Sequence, residues 1–140
     1  GPALLFEKIK ELKPNLKHYW ILEKLEFDPK TKSYSYEDKN IYLKIKIGDA
    51  RDTIKTLSGT FDAVFLDPFS PKKNPELWTQ EFFSDIAKKM NKDSVLSTYS
   101  CARIVRENLK NSGFDVFNGP VVGRKSPGTM ARLKKNYGKI

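Results

Sequence analysis

Cysteine is almost absent from this 140-residue chain, where Cys101 stands alone. A single cysteine excludes an intrachain disulfide and any zinc site built from several thiolates, and it points to a cytosolic, cytoplasmic setting. Histidine is as scarce: His18 is the only one and has no visible catalytic partner. No apolar run approaches the roughly 18 residues of a membrane span, and no signal peptide is evident. Acidic residues are missing from 123–140, a stretch that holds Arg124, Lys125, Arg132, Lys134, Lys135 and Lys139. With a net charge of +9, that stretch predicts a polyanionic partner, nucleic acid first; a lysine-rich solvated surface is the alternative. The length suits one domain, 1–140, able to bury roughly two-thirds of its unfolded surface. Gly1-Pro2 reads as a remnant of tag removal.

Apolar periodicity supplies the elements. Leu4, Leu5, Ile9 and Leu12 share a helical stripe that Pro14 stops. Tyr19–Leu22 predicts a short strand, 27–40 a loop or small hairpin, and the alternating 41–47 a half-exposed strand. Residues 50–57 predict one short helix, and Phe61–Leu66 a buried strand. Asn74 and Pro75 have the chemistry of a helix start, followed by Trp78, Phe82, Ile86 and Met90 at four-residue spacing. A strand over 94–99 leads to a helix that Ser100 is expected to cap and Gly113 to end, with Cys101 packed at its start. Late strands follow at 114–117 and 129–133. Strands alternating with helices predict an α/β layer sandwich with a mostly parallel sheet and helices on both faces.

Three of these strands end at acids: Glu23, Asp49 and Asp67. In open parallel sheets ligands bind where strands end, so neighbouring strands would align these carboxylates along one rim. The alternative for each is a helix-capping carboxylate. Asp67 is the most pointed of the three, because an apolar strand stops at it and a loop stiffened by Pro68 and Pro71 follows at once. Phe69 and Trp78 are candidates to stack on an unpaired base, Trp78 being equally suited to core packing. Lys72, Lys73, Arg124 and Lys125 suit phosphate contacts.

The run Asp62-Ala-Val-Phe-Leu-Asp67-Pro-Phe-Ser-Pro-Lys-Lys-Asn-Pro-Glu-Leu-Trp78-Thr resembles the signature of the MnmC-type, S-adenosylmethionine-dependent tRNA methyltransferase domain. Leu96–Ser100, Val105–Leu109, Gly113-Phe114 and Gly123-Arg124-Lys125 follow in that family's order. The resemblance implies a class I, Rossmann-like methyltransferase fold. It implies transfer of a methyl group to the exocyclic amine of 5-aminomethyl-(2-thio)uridine at the tRNA wobble position. It also implies that Glu23 binds the cofactor ribose, that Gly48, Asp49 and Ala50 hold the adenine, and that Asp67 sits at the transfer centre.

One feature of such folds is missing: no glycine stands between Gly1 and Gly48, where a first central strand and a glycine-rich cofactor loop belong. Relative to the family the domain therefore reads as N-terminally truncated. Two half-sheets with unpaired edges, or a rearranged pairing, are expected, together with a homodimer or a second chain that completes the sheet. A non-catalytic basic RNA-binding module and an incomplete subunit of this fold are the alternative readings.

Overall fold

A computed structural model describes residues 7–8, 11, 17–121, 123 and 125–139. The predicted stripe through Leu4, Leu5, Ile9 and Leu12 lies outside them. The chain divides into two compact units, 1–49 and 50–140, and its strands form two sheets.

In the first unit, residues predicted to be a strand form a turn and the one-turn helix α1 (Trp20–Glu23). Bonds from the amides of Ile21, Leu22 and Lys24 to carbonyls three residues back close it. An apolar run this short cannot separate strand from helix by periodicity. The polar segment that follows is a meander of β1 (Glu26–Asp28), β2 (Ser33–Glu37) and β3 (Tyr42–Lys46), all antiparallel. Aspartates shape both turns. Asp28 accepts from the Lys30 amide at 2.9 Å, and Asp38 from the amides of Asn40 and Ile41 at 2.7 and 2.8 Å. These are Asx turns, in which a short carboxylate replaces a backbone acceptor. The Tyr36 hydroxyl donates to Asp38 and, with those two amides, holds its carboxyl below the ordinary range. Trp20 meets Tyr36 edge-on at 5.4 Å.

The second unit opens with α2 (Ala50–Thr53), continued by a 3-10 turn at Ile54–Thr56. Its sheet has the order β4-β5-β7-β6, formed by β4 (Phe61–Phe65), β5 (Met90–Thr98), β6 (Phe114–Asn118) and β7 (Thr129–Leu133). The sheet is mixed: β4 pairs parallel with β5, whereas β5–β7 and β6–β7 are antiparallel. Among the described strands β4 is at the edge of this sheet.

Helices α3 (Gln80–Ala87) and α4 (Arg103–Asn111) cover one sheet face. Phe82, Phe83 and Ile86 from α3 and Val105 and Leu109 from α4 are buried against Leu96, Phe114 and Ala131. Burial of large apolar side chains of this kind stabilises by about 1.5–3 kcal/mol each. On the reverse face Phe65 is 81% and Phe117 51% exposed. The Asn108 amide ties α4 to the segment before α3 by donating to the Trp78 carbonyl at 2.8 Å.

Three local expectations are corrected. Asn74 and Pro75 open only a 3-10 turn, Pro75–Leu77, and α3 begins later, where Thr79 accepts from the Phe82 amide at 3.1 Å. The extended backbone of Thr79 (ψ 157°) separates the two. Ala102, not Ser100, occupies the cap position of α4, so Ser100 instead accepts from the Ala102 amide at 3.3 Å. Cys101 is exposed rather than packed.

Arg106 on α4 fixes the far side of the sheet. Its guanidinium donates to Thr129 Oγ1 at 2.9 Å, Asn118 Oδ1 at 2.7 Å and the Gly128 carbonyl at 3.1 Å. One side chain thus joins the end of β6, the start of β7 and the segment between them. Gly128 is required there sterically, because a Cβ would lie 2.7 Å from the Thr98 carbonyl oxygen. Gly128→Ala should lower unfolding stability by about 1–3 kcal/mol through overpacking. Arg106→Ala should lower it by about 1–3 kcal/mol through lost charge-assisted bonds. Urea midpoints equal to wild type would contradict this account of the junction.

Candidate active site

Parallel pairing sets the geometry. Val64 lies opposite Leu96 and Phe65 opposite Ser97, so β4 and β5 end at the same edge of the sheet. A last bond, from the Leu66 amide to the Ser97 carbonyl at 2.9 Å, closes the ladder. The chain leaves the sheet at the next residue, Asp67. Pro68 cannot donate to a ladder, which makes the exit abrupt.

The loop after Asp67 is held by side chains rooted in the core. Trp78 Nε1 donates to the Phe69 carbonyl at 2.9 Å, and the Tyr99 hydroxyl donates to the Pro68 carbonyl at 2.9 Å. The two rings meet edge-to-face at 5.9 Å. Beyond them, the Ser70 carbonyl accepts from the amides of Lys73 and Asn74 at 2.8 and 2.9 Å. Trp78 is only 2% exposed, so of the two roles open to it the structure displays packing. Phe69 is 72% exposed, with Lys73 Nζ 5.9 Å from its ring centroid.

Asp67 borders a cavity of about 240 Å³. One wall comes from the ends of β4 and β5, through Phe65, Ser97 and Tyr99. The opposite wall comes from the connection between β6 and β7, through Gly119, Pro120 and Ser126. The Gly119 amide bonds to the Gly128 carbonyl at 2.9 Å, and Arg106 anchors Gly128 from behind. Asp67 itself is exposed, and its carboxylate makes no hydrogen bond or ion pair among the described residues. A carboxylate left free in a cavity is available to a ligand.

The structure gathers only some of the predicted residues. Asp67, Phe69, Lys72 and Lys73 share one loop, and Lys125 stands exposed in the connection that forms the other wall. Arg124 lies outside the described residues. Ala50 opens α2, whereas Glu23, Gly48 and Asp49 belong to the first unit. The three acids do not end neighbouring strands of one sheet: Glu23 ends a helix, and β3 and β4 belong to different sheets.

Ser97, Tyr99, Gly128 and Arg106 escaped the sequence reading. Ser97 and Tyr99 had a usable signal, since they end the strand expected beside the one that stops at Asp67. Arg106 had none, because its partners lie 12 to 23 positions away.

Residues 7–134 match a family described as S-adenosyl-L-methionine-dependent methyltransferase. A relative from Marinomonas sp. (strain MWYL1) is 38% identical over 100 residues, covering 71% of this chain and 15% of its own length. One from Ralstonia nicotianae (strain ATCC BAA-1114 / GMI1000) is 38% identical over 102 residues, covering 73% and 16%. Both are named tRNA 5-methylaminomethyl-2-thiouridine biosynthesis bifunctional protein MnmC. The chain thus spans a small part of the relatives it matches. The crystal structure of MnmC2 from Aquifex aeolicus is similar with a TM-score of 0.71 and 40% identity, over 84% of this chain and 36% of that one. With its mixed α/β fold and a match across nearly its whole length, the chain belongs to the S-adenosyl-L-methionine-dependent methyltransferase family.

Proposed function

We propose that this chain methylates the exocyclic amine of 5-aminomethyl-(2-thio)uridine at the tRNA wobble position, using S-adenosylmethionine. The observation that carries this reading is the free Asp67 carboxylate, held in a cavity at the ends of β4 and β5. The relatives' names supply the substrate class, since a methylaminomethyl product implies an aminomethyl precursor. The family match crosses both compact units, which supports one methyltransferase domain over 1–140. A tRNA substrate also favours a cytoplasmic location, and no described helix is long and apolar enough to cross a membrane.

The residues suit the cofactor by donor chemistry. Carboxylates only accept hydrogen bonds, and exposed Glu23 and Asp49 fit ribose hydroxyls and an adenine amine, with Gly48 and Ala50 beside Asp49. When bound, S-adenosylmethionine supplies an electrophilic methyl group. The chain's own task is then to present a neutral amine in register, which positioning can do without further chemistry. Asp67 accepts a hydrogen bond from the substrate amine and takes up, at a carboxylate oxygen, the proton that nitrogen releases. A carboxylate also favours the charged ammonium, so orientation is its first role and proton acceptance its second. Trp78 and Tyr99 act as positioning residues, since they fix the carbonyls of residues 68 and 69. Phe69 is exposed and suits stacking on the displaced uracil, and Lys72, Lys73, Arg124 and Lys125 suit phosphate contacts.

A purely RNA-binding module is not favoured, because it leaves Asp67 and the family match without a role. The open edge of β4 supports addition of a strand there, from a second copy or another chain.

Asp67→Ala should lower methyl transfer by about 10²-fold or more while leaving tRNA affinity within a few-fold. A wild-type rate, or a collapse of tRNA binding, would refute the assigned role. Lys72→Ala/Lys73→Ala should weaken tRNA binding and flatten its salt dependence by about 1 per lost phosphate contact; an unchanged slope counts against those contacts. Sedimentation of the chain alone should show self-association, and a monomer at high concentration would exclude pairing of two β4 edges.

A further inference from the structure

We propose that a second cavity, at the opposite end of the second unit's sheet from Asp67, binds the tRNA phosphodiester backbone away from the target nucleotide. This inference rests on the tRNA reading above and adds a binding site to it. Strand direction creates the site. β7 runs antiparallel to both β5 and β6, so its end lies beside the starts of the other two. There a cavity of about 620 Å³ opens, against about 240 Å³ at Asp67.

Its chemistry is cationic. Lys92, Arg132, Lys134, Lys135 and Lys139 line it, against the carboxylates of Asp93 and Asp115. Arg132 is the register partner of Asp115, yet among the described residues no ion pair forms between any of these cations and an acid. Lys134 donates to the Lys110 carbonyl at 3.2 Å. Unpaired like charges lining a concavity focus positive potential and repel one another until a polyanion enters. The acid-free basic stretch of the sequence is thereby divided. Lys125 lies in the β6–β7 connection beside Ser126 of the Asp67 cavity, while Arg132 and the three lysines after it line the other cavity.

The floor carries aromatic surface. Tyr137 packs over Gly113, where an added Cβ would lie 2.7 Å from its ring, and Phe117 is half-exposed. Rings beside cations are the combination that single-stranded or looped RNA engages. Along β5 the two linings run from Met90, Lys92 and Asp93 to Ser97, Thr98 and Tyr99. Lys92 and Thr98 are six residues apart, about 20 Å at ~3.3 Å per residue. A folded RNA with its target base at Asp67 has backbone within reach of the second cavity.

The test compares two triple variants of the full chain that change net charge equally. Lys92→Glu/Lys135→Glu/Lys139→Glu alters the cavity; Lys17→Glu/Lys30→Glu/Lys39→Glu alters exposed lysines of the first unit. Affinity for unmodified tRNA is measured across salt, with S-adenosylmethionine affinity as a folding control. The cavity variant should lose at least about ten-fold in tRNA affinity, and its salt slope should fall by about 2–3. The control variant should lose far less, and cofactor affinity should hold in both. Equal losses in both variants would reduce the effect to net charge and overturn the proposal. Unchanged tRNA binding by the cavity variant would overturn it as well, leaving the cavity to an acidic protein surface. If the wild-type chain binds no tRNA at all, the functional reading itself fails.

Discussion

The hydrogen bond from Leu66 to Ser97 is the constraint on which the site depends. It is the last rung of the one parallel ladder in the sheet, and it fixes the residue at which the chain leaves. Had pairing continued one residue further, Asp67 would have become a strand residue on the face opposite Leu66 instead of standing where the chain leaves the sheet. The rest of the second unit supports that rung. Leu96, on the adjoining strand, is fully buried under α3 and α4, and Trp78 and Tyr99 carry the rigidity of this core outward into the loop. A carboxylate in water-filled surroundings gains little from being placed accurately, but one meant to orient a nucleophile gains much.

Arg106 does for the opposite cavity wall what Trp78 and Tyr99 do for the Asp67 loop. Its position on a helix packed into the core lets one guanidinium tie together two strands and the segment between them. Both walls are therefore anchored to the same buried cluster, and the cavity's shape follows from core packing rather than from contacts within the loops. The cationic pole differs in kind. Its lysines are exposed and mostly free of partners, as suits a contact that needs charge more than precision.

Much of this was legible in the sequence, for identifiable reasons. Phe61–Leu66 read as a strand because a short apolar run met a carboxylate and a proline, and Gly113 read as a helix stop because glycine is favoured just past a helix end, where the structure gives it a φ of +98°. The hairpin in 27–40 was marked by Asp28-Pro29 and alternating tyrosines. Tyr19–Leu22 failed because four apolar residues fit either period. The antiparallel β7 and the edge position of β4 follow from long-range pairing, which no local pattern encodes. Asp67 was legible as a site because it interrupts an apolar run. Arg106 looked like one more surface cation until its three acceptors came together in space, and Trp78 showed its stripe in the sequence but not its hold on Phe69.

The most direct measurement is methyl transfer from isotopically labelled S-adenosylmethionine to tRNA bearing 5-aminomethyl-2-thiouridine, followed by identification of the labelled nucleoside. The account predicts label on the exocyclic nitrogen of the wobble uridine and nowhere else in the tRNA. Tight tRNA binding without label, or label on another nucleotide, would contradict it.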